Sequence, residues 1–144
     1  MSTTEIISII TTLVAIAGFI GLIIQLKNLQ KGLNSDARGS IYDMSSKLKE
    51  TFIEYPHLRK YFFNNIEIDP NSQNFDRVCA IADFYCLYLE QMSTQLDSIE
   101  KNHKRAWIKY IVDSIDNSPA IRTHINSNKG FYSELFLNHI HSHL

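Results

Sequence analysis

Between Ile6 and Leu26 lie twenty-one residues without a charged side chain, and no other property of the chain restricts its fold so strongly. At about 1.5 Å of rise per residue, a helix of that length matches the roughly 30 Å hydrocarbon core of a bilayer. Thirteen of the residues are Ile, Leu, Val or Phe, each favouring insertion by about 0.3–0.6 kcal/mol near the helix centre. A removed signal would have a basic start, a shorter apolar region and a small-residue cleavage site. This chain begins MSTTE, with Glu5 and no Lys or Arg, and the apolar run continues for nine residues past its A-x-A spacing at Ala15 and Ala17. A fully buried helix of a soluble domain would require most of the 144 residues to surround it. The expectation is a transmembrane helix over residues 1–26, with the lipid bilayer as its first partner.

The flanks orient it. Lys27, Lys31 and Arg38 follow the span and no basic side chain precedes it, so the positive-inside bias puts the N-terminus outside and the rest in the cytoplasm. Cys79 and Cys86, seven residues apart on one expected helix, would be separated by about 10.5 Å, too far to bridge each other. Free thiols agree with a reducing compartment.

On a helical wheel, Thr4, Ser8, Thr11, Thr12, Ala15, Gly18 and Gln25 fall within one half of the circumference, opposite Ile9, Ile10, Leu13, Ile16, Ile20, Ile23 and Ile24. A helix alone in lipid has no need of that segregation. Small residues let membrane helices approach closely, and Ser, Thr or Gln can bond across the contact. Ser8, Thr11, Thr12, Ala15, Gly18 and Gln25 are therefore the candidate pore-lining or span–span interface. The competing reading is local: Ser and Thr hydroxyls also bond their own helix carbonyls.

After the span the chain reads as all-α. Leu26, Leu29, Leu33, Ala37, Ile41, Met44, Leu48 and Phe52 recur every three or four residues up to Tyr55-Pro56, which predicts a juxtamembrane stalk helix over 27–55. Gly32 and Gly39 each weaken it by roughly 1 kcal/mol relative to Ala, so a break between Asn34 and Ser40 competes with continuity. A helical bundle over 56–144 follows. It comprises a short helix over 57–63, a central helix over 74–96 that is apolar nearly all round, and a helix over 101–115 with Trp107, Ile108, Ile111 and Ile115 on one side. A short helix opened by Ser118-Pro119 and a last one over 131–143 complete it.

The candidates for chemistry each have a plain rival. His139 and His143 share the i, i+4 spacing of some metal sites, but no third ligand is specified, so no metal is assigned. Asp83, inside the most apolar helix, reads as a core carboxylate bonded to Arg77, Arg105 or a tyrosine. Lys101, Arg105 and Lys109 form an i, i+4, i+8 stripe, a candidate surface for a cytoplasmic partner. With Trp107 on the other side, and fourteen basic against fourteen acidic residues from Lys27 onward, there is no strong direct nucleic-acid signal. No Walker loop, G-x-S-x-G or H-E-x-x-H is present, and no cofactor or catalytic residue is assigned.

The single N-terminal span, the helical domain, and the pattern of Trp107, Tyr110 and Ile111 before Ser118 to Arg122 resemble small bacterial one-span membrane proteins. Among these are antiphage effectors such as the pore-forming accessory protein of an RNA-targeting CRISPR subtype. The resemblance implies a HEPN-like cytoplasmic bundle, a homo-oligomeric ring in the inner membrane, and a defence-system protein or nucleoprotein as partner. Nuclease members of the HEPN group carry an Arg followed by four to six residues and a His. No arginine here has a histidine at that spacing. The expected protein is thus a non-enzymatic, pore-forming or membrane-perturbing homo-oligomer. The alternatives are a membrane-tethered adaptor and a HEPN-like RNase.

Overall fold

The computed structural model describes residues 3–96, 99 and 101–141, and every regular element among them is helical. Helix α1 runs from Thr3 to Glu54. It contains no proline, and its ladder carries through Gly32 and Gly39, so the competing reading of a break between Asn34 and Ser40 does not hold. Gly32 and Gly39 together cost about 2 kcal/mol, spread over a ladder that runs through 52 residues. The helix ends where Pro56 follows Tyr55, because a residue before proline is pushed out of the helical region; Tyr55 has φ −122° and ψ 66°.

The chain divides into two compact units, Met1–Ala37 and Arg38–Leu144. In the first, the described residues form the N-terminal part of α1. Its described large apolar side chains are exposed, and none of its most apolar window is buried. It is the one candidate span among the described residues, long and apolar enough to cross a membrane.

The second unit is a helical domain whose core includes Ile41, Leu48 and Phe52 from the end of α1. The apolar stripe read from the sequence therefore serves two environments. Leu26, Leu29 and Leu33 stay more than 60 % exposed, whereas Ile41, Leu48 and Phe52 are 5 % exposed or less. The boundary between the units thus falls at residues 37 and 38, inside the segment read as a stalk. A 3-10 turn at Pro56–Leu58 and helix α2 (Lys60–Phe63) insert Leu58 and Phe62, both fully buried.

Helix α3 (Phe75–Thr94) is the centre, packed against the three helices that follow it. Those are α4 (Lys101–Asp116), α5 (Pro119–Ser127) and α6 (Glu134–Ile140). Val78, Ile81, Ala82, Tyr85, Cys86, Leu89 and Met92 of α3 are buried. They recur at the three- and four-residue steps that put one side of a helix against its neighbours. The last helix is shorter than the sequence predicts. A 3-10 turn occupies Lys129–Phe131, Tyr132 is extended, and the Ser133 hydroxyl starts α6 afresh by accepting from the Phe136 amide at 3.4 Å. That hydroxyl satisfies one of the first-turn amides that a helix leaves without a partner.

Candidate functional site

Two regions hold the candidate residues, one in each unit. In the first, the unbroken register of α1 puts Ser8, Thr11, Ala15 and Gly18 on one side of the helix, with Thr12 and Gln25 flanking them. All six are exposed. The Thr11 hydroxyl donates to the Ile7 carbonyl at 2.9 Å and the Thr12 hydroxyl to the Ser8 carbonyl at 2.9 Å. Both protons are thus satisfied within the helix, and the oxygens keep lone pairs for a second partner. At Gly18 and Gly21 an added Cβ would meet nothing within 4 Å, and neither φ is positive. No packing or backbone demand inside the chain calls for glycine there. The small face has an end: Leu22 follows Gly18 by one turn and Phe19 follows Ala15 by one turn, so bulky side chains close the same half of the helix beyond residue 18.

In the second unit, the residues of the W-x-x-Y-I and S-P-A-I-R stretches hold the domain together. Ile111 is 1 % exposed, while Trp107 is half-buried against the core and also faces Arg38, Tyr42 and His103. The sequence had placed Trp107 wholly on the packing side. Tyr110 shares a hydrogen bond with Tyr85, hydroxyl to hydroxyl at 2.9 Å, and Tyr85 also meets the Ser114 hydroxyl at 3.3 Å. Ser118 caps α5 by accepting from the Ile121 amide at 3.2 Å and donates its own proton to the Tyr61 carbonyl at 2.9 Å.

Arg122 closes the end of α4. Its Nη1 donates to the carbonyls of Ile115 and Asp116, and its Nη2 to Asn65 Oδ1 at 2.8 Å. Those carbonyls are among the last of the helix, at its negative end, and that of Ile115 also accepts from the Ser118 amide at 3.2 Å. Asn65, the only described non-glycine residue with positive φ, donates its amide to the Asn117 carbonyl at 2.9 Å. Its φ of 52° suits an asparagine.

The remaining candidates are dispersed. Lys109 is paired with Asp113 at 2.7 Å, Arg105 is exposed, and the side chain of Lys101 lies outside the described residues. The expected three-cation stripe is therefore partly neutralised. Asp83 is not a core carboxylate. Its side chain is 61 % exposed and lies 3.3 Å from His124 Nε2, because α3 keeps a solvent-facing side that includes Asp76, Cys79, Ala80, Asp83 and Leu87. Neither Arg77 nor Arg105 reaches it: the Arg77 guanidinium instead stacks over the Tyr55 ring at 4.3 Å.

His139 Nδ1 meets the Ser93 hydroxyl at 2.7 Å, and His143 lies outside the described residues. No group of three His, Cys, Asp or Glu able to hold a metal occurs among the described residues. Cys86 is buried, with its thiol pushed up to about 12 by burial; Cys79 is exposed, and partial burial and the nearby Asp76 raise its thiol too. Neither has the lowered pKa of an activated nucleophile.

Sequence reasoning also missed an aromatic cavity. Phe52, Phe63, Tyr85 and Tyr110 from four helices line a cavity of about 380 Å³ that also takes in Lys49 and Arg59. Comparison with family models, curated proteins and solved structures finds no match.

Proposed function

We propose that this chain is a homo-oligomeric, single-span protein of the bacterial inner membrane, with its N-terminus outside and its helical domain in the cytoplasm. In this reading its assembled spans open or perturb the bilayer as an antiphage defence effector. The observation that carries it is the small face of α1. Ser8, Thr11, Ala15 and Gly18 lie exposed on one side, and Gly18 has no neighbour in its own chain that would explain it. In lipid, where apolar burial does not drive helix association, close approach over small residues and bonds to hydroxyl oxygens do. One span cannot enclose a channel, so assembly is a condition of the activity. The mechanism assigns no catalytic residue and no cofactor.

A specific observation favours a second reading, a membrane-tethered adaptor. Because the Thr11 and Thr12 protons are satisfied by their own helix, these residues enter hydrocarbon without needing a lumen. An RNase reading gains nothing from Arg122, whose guanidinium is taken up by three acceptors.

The test uses the full chain in liposomes. Wild type releases a small dye, the Ala15→Ile/Gly18→Ile variant does not, and Ile16→Leu/Ile23→Leu, on the opposite side, does. In detergent the wild type has the mass of several subunits. A monomer, or release indifferent to the Ala15/Gly18 changes, refutes the pore. Replacing Ser8, Thr11 and Thr12 by Leu separates the readings, since an adaptor keeps its function and a pore loses it. The exposed Cys79 reports orientation: an impermeant maleimide applied to intact cells leaves it unlabelled and labels it after lysis. Labelling in intact cells reverses the topology.

A further inference from the structure

We infer that the cavity formed by Phe52, Phe63, Tyr85 and Tyr110 is a binding site for a nucleoside phosphate, a flat aromatic base carrying an anionic group. The inference is independent of the pore reading, because it concerns the second unit alone. Its volume of about 380 Å³ lies within the roughly 300–1,000 Å³ of small-molecule sites. The walls are rings. Phe52 and Phe63 stand 5.3 Å apart between centroids, and Phe63 and Tyr85 6.4 Å apart. Phe63 and Tyr110 remain about 40 % exposed, and Ile53 beside them 78 % exposed, so folding leaves ring surface on which a base can stack.

The charge is one-sided. Lys49 and Arg59 line the cavity with no acidic residue among its walls, and neither forms an ion pair among the described residues. The Arg59 guanidinium lies over the Phe63 ring, 5.0 Å from its centroid. Stacking of this kind fixes the plane of the group and leaves its edge donors for a phosphate, which they can bind in pairs.

The hydroxyls add direction. Ser114 Oγ donates to the Tyr110 carbonyl at 2.8 Å. The Tyr85 hydroxyl meets Ser114 at 3.3 Å and Tyr110 at 2.9 Å, and either oxygen of each pair can be the donor. The Tyr110 hydroxyl, on a residue 40 % exposed, is a polar group at the cavity that can give or accept a hydrogen bond. It suits the amino or ring N–H edge of a base better than a hydrocarbon.

Equilibrium dialysis of the full chain in zwitterionic nanodiscs, with empty nanodiscs as blank, tests the assignment with radiolabelled AMP, GMP, CMP and UMP, and with adenosine and inorganic phosphate. AMP should bind saturably and at least about tenfold more tightly than adenosine or phosphate, since only it engages rings and cations together. Lys49→Gln and Arg59→Gln should each weaken AMP by about fivefold or more and leave adenosine unchanged, whereas Phe63→Leu should weaken both. An unaltered Trp107 fluorescence unfolding transition in the glutamine variants shows that the fold is retained. The assignment is overturned if no monophosphate binds saturably, if AMP binding is indifferent to both charge removals, or if RNA oligomers bind and the monophosphates do not.

Discussion

Replacing Arg122 by Met removes three hydrogen bonds and keeps an unbranched side chain of similar length, and so isolates what the guanidinium contributes. Two of the bonds go to the final carbonyls of α4 and the third to Asn65 across the domain. A hydrogen bond to a charged group contributes about 1.5–3 kcal/mol when shielded. Arg122 is half-buried and only the Ile115 bond is itself partly buried, so the low end applies to that bond. The exposed pair contributes together about 1 kcal/mol or less. The expected loss is about 1.5–2.5 kcal/mol. Urea unfolding followed by the fluorescence of Trp107, the single tryptophan, reads it out as a lower midpoint at unchanged slope. Asn65→Gly keeps the positive φ and removes only the acceptor, so the double variant should show a coupling of about 0.5–1 kcal/mol. A loss below about 0.5 kcal/mol, or strict additivity of the two changes, would show that Arg122 does not lock α4 to the loop at Asn65.

Two further outcomes follow from the thiols and phenols. Iodoacetamide should modify Cys79 in the folded protein, more slowly than a free thiol because its pKa is raised, and should reach the buried Cys86 only on unfolding; equal rates by mass spectrometry contradict the burial of Cys86. The domain should also lose stability in alkali. The Cys86 thiol and the Tyr88 phenol are pushed up to about 12 from 9.0 and 10.0, chiefly by burial. The folded state therefore keeps protons that the unfolded state gives up. Their contribution is complete below pH 9.0 for the thiol and 10.0 for the phenol, and is lost as the pH rises towards 12. The slope is at most on the order of 1.4 kcal/mol per pH unit per group. A urea midpoint that does not move between about pH 8 and about pH 10.5 contradicts this.

Periodicity along the chain was enough to read the helices and the start of α5, since Ser118-Pro119 carries its cap within four residues. It could not tell the two halves of one stripe apart. Leu29 and Leu48 have the same spacing, and only the partners supplied by later helices make one exposed and the other buried. Asp83 was misplaced for the same reason: a mostly apolar helix still has a side its neighbours do not reach, and local sequence does not say which. The lock at Arg122 depends on Asn65, 57 positions earlier, and nothing in S-P-A-I-R marks that contact. The aromatic cavity draws its walls from α1, α2, α3 and α4, a juxtaposition that exists only after the chain has folded. The small face of α1 was fully legible, because one helix contains all of it. Its closure by Phe19 and Leu22 could have been read from the same wheel.

The placing of Phe136 and Ile140 has a consequence for biosynthesis. Both are fully buried in α6, while Ile41, Leu48 and Phe52 of the same core come from α1. Synthesis runs from the N-terminus, so the apolar segment is available to the membrane insertion machinery long before the domain can close. Throughout that interval the nascent chain carries the uncovered apolar side of α3. In the membrane-spanning reading proposed above, a ribosome stalled just before Glu134 would hold the N-terminal apolar helix attached to a domain without its last wall, a natural substrate for chaperones and membrane proteases. Quality control of this protein is therefore expected to act late in its translation, on the unfinished domain and not on the span.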